Sequence, residues 1–160
     1  MKLFAAAGLL TLAAIAACTS APDPPAPSYF VMRHLHKAAG QDPALSEQGQ
    51  RAAQRLAALL GDRRISAIFV STTRRARETA APLAARLGII PAEYDPSDTP
   101  ALVARVRQEP GPVLVVGHSN TVPDIVQQLG GPRPADLTHP NFGDLWRIGA
   151  DGTTVKSRIP

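Results

Sequence analysis

Beyond residue 28 the apolar positions switch between a strand-like and a helix-like period. Tyr29–Arg33 is a short apolar run of aromatic and β-branched character, which predicts a strand. A polar loop with Gly40, Asp42 and Pro43 follows, and Ser46 is placed to cap a helix running to about Leu60. Ala52, Ala53, Leu56, Leu59 and Leu60 line one face of that helix, with Gln50, Arg51, Gln54 and Arg55 opposite. Ile65–Ser71 predicts a second strand. Thr72–Thr73 leads into a helix that ends near Leu87, with Gly88 as its stop and a kink expected at Pro82. Ile89–Tyr94 reads as a third strand, followed by the acidic loop Asp95–Asp98. Thr99 as cap and Pro100 at the first helical position predict a helix to about Glu109, broken by Pro110-Gly111-Pro112. Val113–Val116 is continuously apolar, as a central strand covered on both faces would be. Gly117–Asn120 turns into a helix carrying Val122, Ile125, Val126 and Leu129, stopped by Gly130-Gly131. Strands are expected at about Asp144–Ile148 and Thr154–Ile159. This alternation predicts an α/β sandwich with a largely parallel sheet.

The first residues belong to a different pattern. Lys2 is followed by the alanine-rich apolar run Leu3–Ala17, too short to span a bilayer comfortably. Ile15-Ala16-Ala17-Cys18 resembles the lipobox of bacterial lipoprotein signal peptides, which implies cleavage before Cys18 and a lipid anchor on its thiol. An ordinary secretory peptide cut after an Ala-x-Ala-like triplet is the plainer alternative. Residues 1–17 are therefore read as a lipoprotein signal peptide, 18–28 as a proline-rich tether and 29–160 as one domain. Thr19 in place of aspartate after the cysteine implies, by the same resemblance, the periplasmic face of the outer membrane. Cys18 is the single cysteine, so no intramolecular disulfide can form.

The net charge of +4 comes from scattered arginines rather than a lysine/arginine block, and aromatic residues are few. That combination argues against nucleic-acid binding and reads either as a hint of anionic ligands or as an arginine-rich genome bias. Three strand ends carry polar groups: Arg33 and His34, Ser71 with Arg75 just beyond, and His118. Ligands of open α/β sheets sit outside such ends. A phosphoryl-transfer site needs arginines that hold phosphate oxygens, a neutral imidazole as nucleophile and an acid for the leaving oxygen. If the three strands are neighbours, Arg33, His34, Arg75 and His118, with an acid near Asp95, meet that need.

Four segments in order make the chain resemble the histidine phosphatase superfamily, the phosphoglycerate mutase-like group. They are Arg33-His34, Leu45-Ser46-Glu47-Gln48-Gly49, the Ser71–Ala80 run with Arg75-Ala76 and Thr79-Ala80, and Val113–Ser119 ending in Gly117-His118. The resemblance implies a three-layer sandwich around a mostly parallel sheet, and a histidine acid-type phosphatase with no cofactor or metal. It implies that His34 is the nucleophile forming a phosphohistidine and that Arg33, Arg75 and His118 bind the phosphoryl oxygens. It points to Asp95 as the proton donor, with Asp98 or Glu93 as substitutes. Leu35-His36 departs from the family, where Gly-Glu or Ala-Glu is usual. The short chain has little room for the lid segments of a mutase, so hydrolysis of phosphomonoesters or other phosphorylated small molecules or proteins is the expectation.

Rival readings account for less. Gly117-His118-Ser119-Asn120-Thr121 resembles a serine-hydrolase nucleophile elbow, but Thr121 replaces the last glycine and too little chain follows. His34 and His36 could share one side of a strand as metal ligands, without a recognisable third ligand. A non-catalytic lipoprotein that binds a phosphorylated ligand or partner would keep the arginines but would not need His34.

Overall fold

The computed structural model describes residues 27–160. The signal peptide, Cys18 and most of the tether lie outside the described residues. The strands are β1 (Ser28–Arg33), β2 (Ala67–Ser71), β3 (Ala92–Tyr94), β4 (Val113–Gly117), β5 (Asp144–Gly149) and β6 (Thr154–Arg158). The helices are α1 (Glu47–Leu60), α2 (Arg74–Leu87), α3 (Thr99–Val106) and α4 (Val122–Gln128).

The sheet runs β3-β2-β4-β1-β5-β6. The first four strands are mutually parallel, while β5 and β6 are antiparallel to their neighbours. The register Arg33↔Gly117 brings the C-terminal ends of β1 and β4 level. β2 pairs on the other side of β4, so its end at Ser71 joins them. The three polar strand ends are thus neighbours, as the motif order required.

Helices cover both faces, so β1 and β4 carry no polar alternation. Phe30 and Met32 pack with Leu56, Leu60, Ala80 and Leu83 in the α1/α2 layer. Val31 points the other way, into a core with Leu102, Val106, Ile125 and Val126 from α3 and α4. Each layer buries a continuous apolar surface, which stabilises the three-layer arrangement at roughly 25 cal/mol per Å² removed from water.

Most predicted elements are present, with three shifts. β2 starts at Ala67 and β3 at Ala92, later than expected. Ile65 is buried without joining the ladder, and Ile90 is 93% exposed, so the apolar runs overshoot the paired backbone. The cap of α3 is Asp98, whose carboxylate accepts the Ala101 amide at 3.0 Å, which puts Thr99 and Pro100 inside the first turn. That helix ends at Val106 rather than near Glu109, where the chain tightens into i→i+3 bonds from the Gln108 amide to Arg105 and from the Glu109 amide to Val106. α2 continues through Pro82 and ends on Gly88 at φ 67°.

Candidate active site

β1 delivers His34 just past its last paired residue, where the His34 amide still donates to the Gly117 carbonyl at 2.9 Å. The imidazole Nδ1 lies 2.8 Å from the Leu35 carbonyl oxygen. A carbonyl can only accept, so the ring proton sits on Nδ1 and Nε2 keeps its lone pair. Burial is the main force holding the ring neutral, and Arg33, Arg75 and His118 add to it against the Leu35 bond, bringing the pKa to about 3. A neutral imidazole with a bare Nε2 is the form that attacks phosphorus.

His118 leaves the end of β4 with its ring centroid 5.5 Å from that of His34. Its Nε2 is 2.7 Å from Ser71 Oγ, and its Nδ1 is 3.4 Å from an Arg75 terminal nitrogen. A guanidinium only donates, so Nδ1 accepts and Nε2 carries the proton toward Ser71. Burial first, then Arg75 and Arg33, lower its pKa to about 4. Gly117 permits this turn: a Cβ there would lie 2.9 Å from Thr121 Oγ1, the atom that accepts the His118 amide at 3.0 Å.

The two guanidiniums are incompletely satisfied. Arg33 is 8% exposed, lies 3.9 Å over the Phe142 ring and donates to the Thr138 carbonyl at 2.8 Å. Arg75 sits in the first turn of α2, 3.6 Å from Asp42. Nε of Arg33 and Nε of Arg75 are both buried with no partner. Orphan buried donors on two cations that repel each other call for an anion between them. Burial first, and then the charge of Arg75, push the Arg33 pKa down. The end of α2 gives less than a free helix terminus would, since Asp42 already accepts the Arg74 amide at 3.0 Å.

Distant segments hold these groups in place. The Leu35 amide donates to Thr79 Oγ1 at 3.0 Å, and that hydroxyl donates to the Arg75 carbonyl at 2.8 Å. The Leu45 amide donates to Glu78, and Ser46 both binds the His36 carbonyl and caps α1. On the other side, Asn141 joins Thr138 to buried Asp144 (3.0 Å), which Lys156 and Arg158 neutralise. A hydrogen-bonded path therefore runs from the β5/β6 hairpin to Arg33.

The expected proton donors are grouped in the wall of one cavity. Glu93, Asp95 and Asp98 line this cavity of about 640 Å³ at the ends of β3 and α3, in which Thr72 is the residue nearest in sequence to β2's end. Asp95 accepts from the Ser97 hydroxyl (2.6 Å) and amide (2.8 Å), bonds that hold its carboxyl below the usual range. Glu93 pairs with Arg77 at 2.9 Å, and Asp98 caps α3. Among the described residues, none of the three hydrogen-bonds or ion-pairs with Arg33, His34, Arg75 or His118. Asp42, read from the sequence as a loop residue, is the carboxylate beside Arg75. The departure at Leu35-His36 is now interpretable. Leu35 is fully buried in the α1/α2 core, and His36 rests on Phe142 at 4.5 Å between centroids. Phe142 and Thr138 carried no sequence signal, being more than a hundred residues from Arg33 in a loop without periodicity.

Residues 33–97 match the sequence profile of the histidine phosphatase superfamily (branch 1). No curated protein matches the chain significantly by sequence. Among solved structures, the protein histidine phosphatase SixA complexed with tungstate superposes with a TM-score of 0.61 at 19% identity, covering 81% of this chain and 94% of that one. A mycobacterial glucosyl-3-phosphoglycerate phosphatase solved with VO3 gives a TM-score of 0.63 at 17% identity, covering 82% and 97%. YhfR of Bacillus stearothermophilus gives 0.61 at 20% identity, covering 83% and 96%. The chain therefore has the α/β, phosphoglycerate mutase-like fold of these proteins, and its residues 33–97 carry the sequence pattern of the histidine phosphatase superfamily.

Proposed function

We propose that this protein is a phosphatase that hydrolyses phosphorylated small molecules or proteins through a phosphohistidine on His34. The observation that carries this reading is a buried neutral imidazole, bare at Nε2, beside two guanidiniums with unpartnered Nε–H groups. Nε2 attacks phosphorus, forming an N–P bond as the bond to the leaving group breaks. Arg33 and Arg75 stabilise the charge spread over the equatorial oxygens, and His118 joins them by turning its Nε2–H from Ser71 to a phosphoryl oxygen. Water then attacks the phosphohistidine, and orthophosphate leaves with His34 restored. The match to the superfamily profile and the superposition on phosphatases solved with oxyanions support this reading.

The position of the acids narrows the leaving group. The Ser97 hydroxyl and amide bonds favour the ionised form of Asp95, whereas a general acid must carry its proton. The site is therefore best suited to leaving groups that need little protonation from the protein, such as aryl phosphates, or the phosphoramidates of which phosphohistidine is one. The structural likeness to the protein histidine phosphatase SixA is in line with this. The test is hydrolysis of 4-nitrophenyl phosphate by the soluble part from residue 27, wild type against His34→Ala. Turnover that falls by about a thousandfold or more supports nucleophilic catalysis; equal rates refute it.

The envelope assignment is part of the same proposal. Cys18 would carry the lipid, and the tether would hold the domain on the periplasmic face of the outer membrane. A Cys18→Ser protein should lose lipid labelling and membrane retention. Retention of both would overturn the anchor.

A further inference from the structure

The β5/β6 hairpin extends the sheet past the helices, and β6 is exposed along most of its length. Phe30, Arg147 and Val155 stand directly opposite one another across β1, β5 and β6, so they share one face. With Leu59 of α1 and Arg63 just beyond it, they line a groove of about 330 Å³ that has no aspartate or glutamate in its wall. Leu59 and Val155 are 44% and 47% exposed, two of the three exposed large apolar side chains among the described residues. Neither Arg63 nor Arg147 enters an ion pair among the described residues. The acids near them are engaged. Asp62 meets Arg86 at 3.3 Å, and Asp151, which feels the charge of Arg147, accepts from the Thr153 amide and hydroxyl at 3.0 and 2.8 Å. An apolar groove flanked by two unpaired guanidiniums is complementary to an anionic, amphiphilic surface.

The reach of the chain before β1 limits what can meet this face. β1 begins at Ser28, opposite Gly149, about 7 Å along the strand from the Phe30 row. His34 lies the other way, about 13 Å from Phe30. Cys18 and Ser28 are joined by a length of chain that spans at most about 36 Å. A domain of this size has a radius of gyration of about 14 Å, so it is about 36 Å across. Turning the catalytic edge to the membrane would take a quarter of its circumference and then its radius, roughly 45 Å, which exceeds that reach. We propose that the groove is a membrane-docking surface, which takes the anionic phospholipid headgroups of the leaflet that holds the anchor. The proposal rests on the reading of Cys18 as lipid-bearing. Leu59 and Val155 enter the headgroup boundary, while Arg63 and Arg147 lay their stems along it and turn their guanidiniums to the phosphates. The anchor makes this contact intramolecular, so a small surface suffices. The phosphoryl site, at the other edge, stays open to water.

For the test, the full chain is purified from membranes with its anchor and placed on vesicles of phosphatidylcholine alone or mixed equally with phosphatidylglycerol. A polarity-sensitive dye is attached at Ser157→Cys, in the groove wall, or at Asn120→Cys, just past β4 at the catalytic edge. The lipid leaves Cys18 no thiol to label. On the mixed vesicles, brominated lipid should quench the groove dye at least about threefold more than the catalytic-edge dye. Phosphatidylcholine alone should remove most of that difference, since it offers the arginines no net negative charge. The Arg63→Gln/Arg147→Gln variant should do the same on the mixed vesicles, with an unchanged melting temperature. Equal quenching at the two positions, or a variant that quenches like wild type, would overturn the surface. So would a groove-dye shift that grows with protein concentration without vesicles, which would mean that a second copy of the chain covers the groove. A chain recovered without lipid on Cys18 refutes the anchor and the surface with it; a lipid-bearing chain with both dyes unquenched refutes the surface alone.

Discussion

An imidazole attacks phosphorus only with a bare ring nitrogen, and His34 keeps one through its bond to the Leu35 carbonyl and its burial among cations. The same burial makes the fold acid-sensitive. His34 and His118 have folded-state pKa values of about 3 and about 4, below the ordinary histidine value near 6.5. The unfolded chain therefore binds more protons as pH falls below about 6.5, and stability is lost from there down to the folded values; above about 6.5 this contribution is complete. Denaturant melts at pH 7.5 and 4.5 should differ by an amount on the order of a few kcal/mol, and His34→Gln should shrink the difference. An unchanged difference in that variant would contradict the assignment of a neutral buried His34. At this scale the sequence was legible where a residue type is tied to one chemistry: Arg33, His34, Arg75 and His118 converge as the motifs implied. It was less legible for carboxylates, because Asp95 and Asp98 fill turn and cap roles and Asp42, similarly placed in a turn, reaches Arg75.

At the level of elements, the loop from His34 to Ser46 is held by the helices on either side of it. Thr79 from α2 accepts the Leu35 amide, and Gly49 of α1 sits so close that a Cβ would meet the His36 carbonyl oxygen at 2.1 Å. Thr79→Val keeps the shape but leaves a buried amide unpaired, at a cost of about 1–3 kcal/mol. Its melting temperature and its kcat for 4-nitrophenyl phosphate should both fall; a variant as stable and active as wild type would show that Thr79 does not hold the loop. The helices could be foreseen because apolar period, Ser46 cap and Gly88 stop agree with one another. The predicted strands begin too early at Ile65 and Ile89, where apolar side chains precede the first paired residues, Ala67 and Ala92. Thr138 and Phe142 could not be foreseen, since the strand pairing of β5 with β1, rather than any local pattern, brings their loop to Arg33.

For the whole molecule, the strand order is what assembles the site. Placing β4 between β1 and β2 aligns three loops at one sheet edge, and covering both faces with helices leaves that edge as the open end. The antiparallel β5/β6 hairpin extends the sheet and, through Asp144 and Asn141, braces the Arg33 side. The account's central claim is that His34 carries the phosphoryl group during turnover. Rapid-quench mixing with a radiolabelled aryl phosphate, denaturation in base and peptide mapping measure this directly. The account predicts an acid-labile, base-stable phosphate on the peptide containing His34, formed within the first turnover and absent from His34→Ala. Turnover with no protein-bound phosphate, or with the label on another residue, would contradict it.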